Sequence, residues 1–430
     1  MSQPPAGSTW CGELELSGQG ELTGVVERGP QHARVRALVR LHGEPLGYLT
    51  VGVRPGEDPL EAILDQSRER FRDEVDAHLR AEDASPWEGD RPAGRSSWCA
   101  NTVEPAGLVS VVVGTRNRSE SLSMCLEKLA RLRYSELEFV IVDNAPSDSS
   151  TRRVVEAIAV RDPRFRYALE PKPGLSQARN CGLAHAHGRY VAFTDDDVIV
   201  DEGWIDGLIR GFARFPRVAC VTGLVASATL DSPAEEYFES RTPLWSTRCH
   251  ADLFCASNPQ GRGPLFPYSP GLYGTGASMA FDREVLDELG GFDLALGAGT
   301  KTRGGEDLDI FLRVMESGRC IAYEAAAVVW HHHRADWTSL ERQMFGYGSG
   351  LTASLTKFLL RRHSRWQLLR RVPFGLMKLR GSRSIDEAAN DAVRPPARVV
   401  WQERLGLLAG PYLYLRARAA TRRGARAIRP

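Results

Sequence analysis

The stretch Arg189-Tyr-Val-Ala-Phe-Thr-Asp-Asp-Asp-Val198 joins a short apolar run to three consecutive carboxylates. The apolar run is rich in β-forming residues and predicts a buried strand that ends at Asp195, Asp196 and Asp197. Adjacent acids at a strand end repel one another and lose solvation, so a hard cation among them would stabilise the arrangement. Oxygen ligands favour Mg²⁺ or Mn²⁺ as that cation. For the triplet alone, a solvated acidic turn is an equally good interpretation.

Strand and helix patterns alternate before this strand, from residue 108 onward. The predicted elements are a strand at 108–113, a helix containing Leu122, Leu126 and Leu129, a strand at 137–142, a helix at 149–160, a strand at 165–169 and a helix at 175–186. Repeated strand–helix units with continuous apolar strands predict a mostly parallel sheet with helices on both faces. Several of these strands end in polar residues, and ligands of such sheets bind off the carboxyl ends of the strands. We therefore expect the polar strand ends to converge on one crevice.

The chain after Val198 has a weaker pattern. A helix is predicted around residues 204–212, a strand at 218–225, a helix at 308–316 and a strand or two at 320–330. Residues 231–270 have little periodicity and several prolines, which predicts a long surface excursion or flap.

The N-terminal part has a different pattern. Residues 30–53 predict a β-hairpin with one wet face, because apolar residues alternate there with Arg34, Arg36 and Arg40. Helical spacing follows from residue 58 to about 80. We interpret residues 1–81 as a small α+β domain and residues 82–107, rich in Pro, Gly, Ser and Asp, as a linker.

The composition is that of an ordinary globular protein, with 42% hydrophobic and 25% charged residues. No signal peptide is evident at the start, and no apolar run reaches the roughly 18 residues of a membrane-spanning helix. The eight cysteines are scattered without a Cys-x-x-Cys pair, which is typical of reduced, mostly structural cysteines in a cytoplasmic protein.

Charge is distributed unevenly, although the net charge is only +1. Residues 357–430 contain 18 Lys and Arg against four acids, a net of +14, so the rest of the chain has a net of −13. A basic tail on an acidic body predicts an anionic partner, here an anionic membrane surface on the inner face of the cell membrane rather than nucleic acid. A solvated basic face is the equally weighted alternative.

Five motifs follow one another along the chain: Ser110-Val-Val-Val-Gly-Thr-Arg-Asn117, Val140-Ile-Val-Asp-Asn144, Pro173-Gly-Leu-Ser-Gln-Ala-Arg-Asn180, Phe193-Thr-Asp-Asp-Asp197 and Gly305-Glu-Asp-Leu-Asp309. Together they resemble the family 2 glycosyltransferases with the GT-A fold. Each is weak alone, but their order is that of the family. The resemblance implies a Rossmann-like GT-A domain at 108–350, followed by a basic, mainly helical region at 351–430.

The resemblance also implies roles for particular residues. The nucleotide-binding residues would be Thr115, Arg116, Asp143, Arg179, Asp195 and Asp196. Asp197 would bind the metal that bridges the diphosphate of a nucleotide-diphosphate sugar. Asp307 would be the catalytic base that activates a hydroxyl of a glycan, lipid-linked or small-molecule acceptor, with Glu306 beside it. Gly114 stands where most members have a small residue or proline, so the nucleobase stays open.

The residues themselves are consistent with this chemistry. A leaving diphosphate needs a hard cation held by few carboxylates, and the acceptor hydroxyl needs a base. Glu306 and Asp307 also suit a helix N-terminus, which favours negative charge without any catalytic role. His331 and His333 share a face if the backbone is extended, and a neutral imidazole there could join Asp197 at the metal. A pH-sensitive polar loop is the alternative for the histidines.

Two other functions use a similar sheet. A sugar-nucleotide nucleotidyltransferase requires a glycine-rich phosphate loop after the first strand, where this chain offers only Gly114. A non-catalytic sugar-binding protein is the other, since a fold does not fix a function. The intact acids at 195–197 and 306–307 favour an enzyme over a non-catalytic protein. The single evident base carboxylate is consistent with single displacement, and inversion is what the resemblance to the family implies.

Overall fold

The computed structural model describes residues 8–18, 21–54, 56–89, 91–94, 99, 105–375, 377 and 393–427. These residues form one five-stranded and one nine-stranded sheet with their covering helices. Within the described ranges, no helix combines the length and the apolar content needed to cross a membrane.

The N-terminal unit is the predicted α+β arrangement. Its elements are β1 (Ser8–Glu15), β2 (Leu22–Thr23), β3 (His32–Leu41), β4 (Glu44–Gly52) and α1 (Leu60–Ala81). The β3–β4 hairpin and α1 match the alternating and helical patterns. Described residues of the 82–107 segment pack on this unit, because Trp87 is buried and donates its backbone N–H to Asp76.

The larger unit begins at the predicted strand after residue 107. Its first half contains β5 (Val109–Thr115), α2 (Ser119–Leu129), β6 (Leu137–Asn144), α3 (Ser150–Arg161), β7 (Phe165–Glu170), α4 (Leu175–His185), β8 (Tyr190–Asp195), β9 (Val198–Val200) and α5 (Trp204–Ala213). Its second half contains β10 (Val218–Ser227), β11 (Thr229–Leu230), α6 (Pro233–Arg241), α7 (Pro243–Ser246), β12 (Asp252–Cys255), β13 (Met279–Asp282), α8 (Arg283–Glu288), α9 (Glu306–Glu316), β14 (Cys320–His331), α10 (Trp337–Leu359), α11 (Arg362–Leu369) and α12 (Ala397–Ala427).

The large sheet has the order β12-β14-β10-β13-β8-β5-β6-β7, with β9 paired to β14. Strands β8, β5, β6 and β7 are parallel, as the sequence predicts. The other half is mixed, because β13 inserts antiparallel between β8 and β10. Alternate residues of β5 enter two cores: Val111 and Val113 pack with α2, and Val112 packs with α4. Helices therefore cover both faces of this sheet.

One expectation about the N-terminal hairpin is wrong. The face that carries the arginines is covered by the larger unit instead of water, because each arginine meets an acid there. Arg34 pairs with Glu236, Arg36 with Glu239 at 2.7 Å, and Arg40 with Asp201 at 2.7 Å. A pattern of alternating charge cannot distinguish solvent from an acidic neighbouring surface.

Arg40→Met is expected to lower the free energy of unfolding by about 3–5 kcal/mol, because a buried guanidinium is removed from two acids. The Arg40 side chain is 7% exposed and also donates to Glu13 at 2.8 Å. Urea unfolding measures the change, and Arg152→Met is the matched control, since Arg152 pairs with Glu156 at the surface. Equal stabilities of the two variants would contradict the expectation.

Two further expectations fail in the second half. Residues 231–270 are not a featureless excursion, because they contain α6, α7 and β12. The cysteines are not all reduced: Cys255 and Cys320 form a disulfide between β12 and β14. Antiparallel register sets these two residues opposite each other, although 65 residues separate them in the chain.

The C-terminal region is helical, as predicted, and packs closely on the larger unit. Helix α10 runs across the expected boundary at residue 350 and lies against α12. Glycines allow the close contact: a Cβ on Gly348 would collide with the Glu403 carbonyl, and one on Gly406 with the Phe345 carbonyl. The orientation of α12 about its axis is therefore fixed.

Candidate active site

The polar strand ends meet at one edge of the sheet, as the sequence predicts. In the parallel register Thr115 of β5 lies opposite Asp143 of β6, and Gly114 lies opposite Asp195 of β8. Residues that are far apart in the chain thus enclose one crevice.

Asp196 is buried at this edge of the sheet. Its carboxylate accepts hydrogen bonds from the Thr115 hydroxyl at 2.7 Å and from Arg118 at 3.0 Å, and its carbonyl accepts from the Ser121 hydroxyl at 2.7 Å. Burial raises the pKa of this carboxyl, although Thr115 and Arg118 oppose the effect. These contacts hold the loop after β8 against the start of α2.

Asp197 is surrounded by cationic and imidazole groups. Its oxygens lie 3.1 Å from Arg118, 3.5 Å from Arg334 and 3.7 Å from the His331 Nε2. Burial would raise the pKa of Asp197, but His331, Arg118 and Arg334 hold it below its usual range. Strand β9 explains the contact with His331, because its antiparallel pairing with β14 sets His331 opposite Val198.

Two histidines, His331 at the end of β14 and His333 just after it, lie one behind the other next to Asp197. The His331 Nδ1 lies 3.1 Å from the His333 Nδ1, and the His333 Nε2 lies 2.8 Å from the Ser227 hydroxyl. His333 is fully buried and also lies 3.8 Å from Glu239. Burial lowers the pKa of His331 to about 4, so its imidazole is neutral near pH 7. His331 faces Asp197 directly, whereas His333 contacts His331, Ser227, Glu239 and Phe238.

Arg179 connects the acid triplet to the Glu306-Asp307 pair. Its guanidinium, 2% exposed, donates to Asp195 at 3.3 Å, to Glu306 at 3.0 Å and to the Gly276 carbonyl at 3.2 Å. Burial raises the pKa of Asp195 to about 6, with Arg179 opposing and the neighbouring acids adding to the rise. Arg179 therefore fixes the end of β8 relative to the start of α9.

Glu306 and Asp307 open α9 and occupy different environments. Glu306 is buried, and burial together with Asp307 raises its pKa to about 7 against the effect of Arg179. Asp307 is half-buried, and its Oδ2 accepts the backbone N–H of Gly276 at 3.0 Å. Gly305, with φ +91°, precedes them, and a Cβ there would collide with the Gly350 carbonyl. Only glycine lets α9 start this close to α10.

The remaining two expected nucleotide-binding residues are Asp143 and Arg116. Asp143 is fully buried at the end of β6, and the Tyr167 hydroxyl donates to its Oδ2 at 3.0 Å. Burial raises the pKa of Asp143, although Tyr167 opposes the rise. Arg116 is exposed at the start of the loop after β5.

Sequence reasoning missed three residues of the site. Arg118 and Arg334 contact Asp197, and the α10 residue Tyr347 lies near Asp195 and Asp307, whose charges add to the burial that raises its pKa. The sequence contains a signal for Arg118, because this residue directly follows the polar strand end Thr115-Arg-Asn117. Tyr347 lies in α10, a helix that the sequence analysis did not predict, close to the expected domain boundary at residue 350.

The residues fit a divalent cation at Asp197. The Asp197 Oδ1 and the His331 Nε2 are 3.7 Å apart, too far for a hydrogen bond, and the low pKa of His331 leaves a nitrogen lone pair available. A carboxylate oxygen and a neutral imidazole are both ordinary ligands of divalent ions.

Comparison with known proteins agrees with this architecture. The α/β sheet with its strand-end acids defines a GT-A glycosyltransferase domain. Residues 110–290 match the model of "Glycosyl transferase family 2". The resemblance stated from the motifs is thereby confirmed, as is the fold class. Asp307 and His331 lie beyond the matched residues.

Several named proteins are similar to this chain. A "Pre-mycofactocin glycosyltransferase" of Mycobacterium tuberculosis is 27% identical over 67% of this chain and 54% of its own length, so this chain spans about half of it. A "Glucosyl-dolichyl phosphate glucuronosyltransferase" of Haloferax volcanii is 28% identical over 52% of this chain and 68% of its own. A solved mannosyltransferase of Pyrobaculum calidifontis, in complex with GDP-Man and Mn²⁺, has 19% identity and a TM-score of 0.46, covering 83% of this chain and 98% of its own.

Proposed function

We propose that this chain transfers a sugar from a nucleotide-diphosphate sugar to a hydroxyl acceptor by metal-assisted single displacement with inversion. The observation that carries the proposal is the junction of three elements in one crevice. The acid triplet ends β8, His331 ends β14, and Asp307 begins α9, with Arg179 bridging Asp195 to Glu306. The crevice thus places side chains that would bind the leaving diphosphate near a single half-buried carboxylate, that of Asp307.

On this proposal the donor binds along the carboxyl ends of β5, β6 and β8. Asp143 would accept from the nucleobase, Thr115 and Arg116 would contact the nucleotide, and Asp195 and Asp196 would face the ribose and diphosphate. Arg179 is buried under this surface, and we infer that it orients Asp195 and Glu306. Asp197 and His331 would hold Mg²⁺ or Mn²⁺, which when bound would neutralise charge on the diphosphate.

Asp307 would take the proton of the acceptor hydroxyl. Its Oδ2 is oriented by the Gly276 N–H, so the carboxylate is held beside the Gly274-Thr275-Gly276 loop. A single base on one side of the reacting centre is what single displacement requires, because the acceptor oxygen attacks as the diphosphate leaves.

Product analysis tests the proposal. Thermal shift against UDP-, GDP- and dTDP-sugars with Mn²⁺ selects the donor, because a bound ligand stabilises the folded state. Release of nucleoside diphosphate that depends on an added acceptor is the expected result. Release of pyrophosphate from a nucleoside triphosphate and a sugar 1-phosphate would indicate a nucleotidyltransferase instead. Donor binding without turnover on any acceptor class would indicate a sugar-binding protein.

We also propose that the C-terminal region contacts an anionic membrane surface, which would favour a lipid-linked acceptor such as the one named for the Haloferax relative. Helix α12 has an exposed apolar stripe at helical spacing, formed by Trp401, Leu405, Leu408, Tyr412 and Leu415. Arg398 and Arg416 are exposed beside the stripe, and Arg416 lies over the Tyr412 ring. An apolar stripe beside basic residues is complementary to an acidic leaflet.

Trp401→Ser with Leu408→Ser is expected to weaken binding to vesicles containing phosphatidylserine by at least about tenfold, since each side chain buries apolar area on docking. Vesicle flotation at low salt measures the change. Val160→Ser is the control, because Val160 is more exposed than either residue and lies on α3, outside the C-terminal region. Equal flotation of wild type with neutral and anionic vesicles would contradict the proposal.

A further inference from the structure

Four metal-ligating side chains converge in the N-terminal unit, outside the crevice described above. They are His42 in the β3–β4 turn, His78 in the last turn of α1, Glu82 just after that helix, and Cys99. His42, Glu82 and Cys99 are buried. Three separate segments of the chain thus meet at one point. The hairpin and the segment around Cys99 supply one ligand each, and α1 with the residue after it supplies two.

The sulfur–nitrogen distances match those around a single ion, and the distances among the nitrogen and oxygen atoms are somewhat shorter. The His42 Nδ1 lies 3.0 Å from the His78 Nε2 and 3.2 Å from the Glu82 carboxylate, which is 2.7 Å from His78. The Cys99 Sγ lies 3.6 Å from both imidazole nitrogens. Tetrahedral zinc, with Zn–N of about 2.05 Å and Zn–S of about 2.3 Å, separates two nitrogens by about 3.3 Å and sulfur from nitrogen by about 3.6 Å.

The surroundings orient His42 for ligation. Its Nε2 lies 2.9 Å from the Ala93 carbonyl, a contact that requires the Nε2 to carry the proton. The Nδ1 that faces the cluster therefore has its lone pair free of a proton in the neutral ring. Metal-binding histidines generally donate their second ring N–H in this way. His42 itself has φ +52°, in the left-handed region, so the turn aims this ring inward.

We propose that His42, His78, Glu82 and Cys99 bind one structural zinc ion. The set combines one thiolate, two imidazoles and one carboxylate, and a thiolate with imidazoles selects zinc over Mg²⁺ or Mn²⁺. Four protein ligands close the coordination shell, which is the arrangement of structural and not of catalytic zinc. The ion fastens Cys99, in the segment that leads to the catalytic domain, to the hairpin whose Arg40 holds Asp201.

Metal analysis of the full chain tests this proposal. Protein purified without chelators is expected to contain about one zinc ion per chain by mass spectrometry, and Cys99→Ser and His78→Ala less than about a tenth of that. Cys249→Ser is the matched control, since Cys249 is a thiol outside the cluster. Asp197→Asn is expected to keep its zinc, which separates this site from the proposed catalytic ion.

Cobalt substitution of the wild type supplies a readout that survives misfolding of a variant. Co²⁺ at this site is expected to give the near-ultraviolet absorption of a thiolate–cobalt bond, displaced by equimolar Zn²⁺. Folded, metal-free wild-type protein that takes up neither Zn²⁺ nor Co²⁺, or binds Co²⁺ without the thiolate band, would overturn the proposal.

Discussion

Asp307→Asn is expected to lower kcat by about 10²- to 10⁴-fold, the usual contribution of general-base assistance, while donor affinity changes little. The asparagine keeps the size of the side chain and can still accept the Gly276 N–H, so the local structure is retained. The variant loses only the ability to take a proton. Steady-state kinetics give kcat, and calorimetric titration of the donor gives its affinity.

Glu306→Gln is the comparison that identifies the base. Its raised pKa of about 7 would suit a base near neutral pH, but geometry is the first criterion for such a role. Glu306 is buried and bound to Arg179, so its carboxylate is turned toward the protein and away from an incoming acceptor. We therefore expect a milder loss in kcat, or an effect mainly on the acceptor KM. Near-normal kcat in Asp307→Asn would transfer the role to Glu306.

Glu284→Gln controls for a general effect of losing a carboxylate in the first turn of a helix. Glu284 begins α8, away from the crevice, as Glu306 and Asp307 begin α9. Normal kinetics are expected for this variant. A loss comparable to that of Asp307→Asn would mean that charge at a helix start, and not proton transfer, explains the result.

The catalytic half of the fold could be predicted because its strands are continuous apolar runs. Buried parallel strands can be recognised from their own residues, without knowing which strands they pair with. Examples are residues 109–115 and 137–144. The crevice followed from the rule that parallel strands end at one edge. The antiparallel β13 could not be predicted, since its four residues give no periodicity and its neighbours come from distant parts of the chain.

Contacts between distant segments account for most of the errors. The arginines of β3 look solvent-facing until Glu236, Glu239 and Asp201 are brought against them. Cys255 and Cys320 are an ordinary scattered pair in the sequence, and strand register alone unites them. The His42, His78, Glu82 and Cys99 cluster has no recognisable spacing for the same reason. Local patterns predict elements, whereas ion pairs and ligand sets depend on how the elements pack.

Asp197→Ala is expected to abolish the part of donor affinity that depends on Mn²⁺ while the protein stays folded. Residues that only orient a metal ligand typically change metal affinity by about 10- to 100-fold, so loss of a direct ligand should cost at least about 100-fold. Calorimetric titration of the selected donor, with and without Mn²⁺, measures the linked affinity. Asp287→Ala is the control, because Asp287 is a half-exposed acid on α8. Undiminished Mn²⁺-linked affinity in Asp197→Ala would show that the Asp197 carboxylate does not bind the metal.

The histidine variants extend this titration to the rest of the proposed shell. His331 faces Asp197 at 3.7 Å, so His331→Ala is expected to approach the loss seen in Asp197→Ala. His333 contacts the other ring nitrogen of His331 at 3.1 Å and is itself fixed by Ser227. We therefore expect His333→Ala to weaken the Mn²⁺-linked donor affinity by about 10- to 100-fold. If His333→Ala were the more damaging of the two, both rings would have to turn toward the ion, and His333 would be a ligand in its own right. If neither variant altered the Mn²⁺-linked affinity, the shell would consist of Asp197 with the donor's diphosphate and water, and the histidines would only pack the end of β14 against α6.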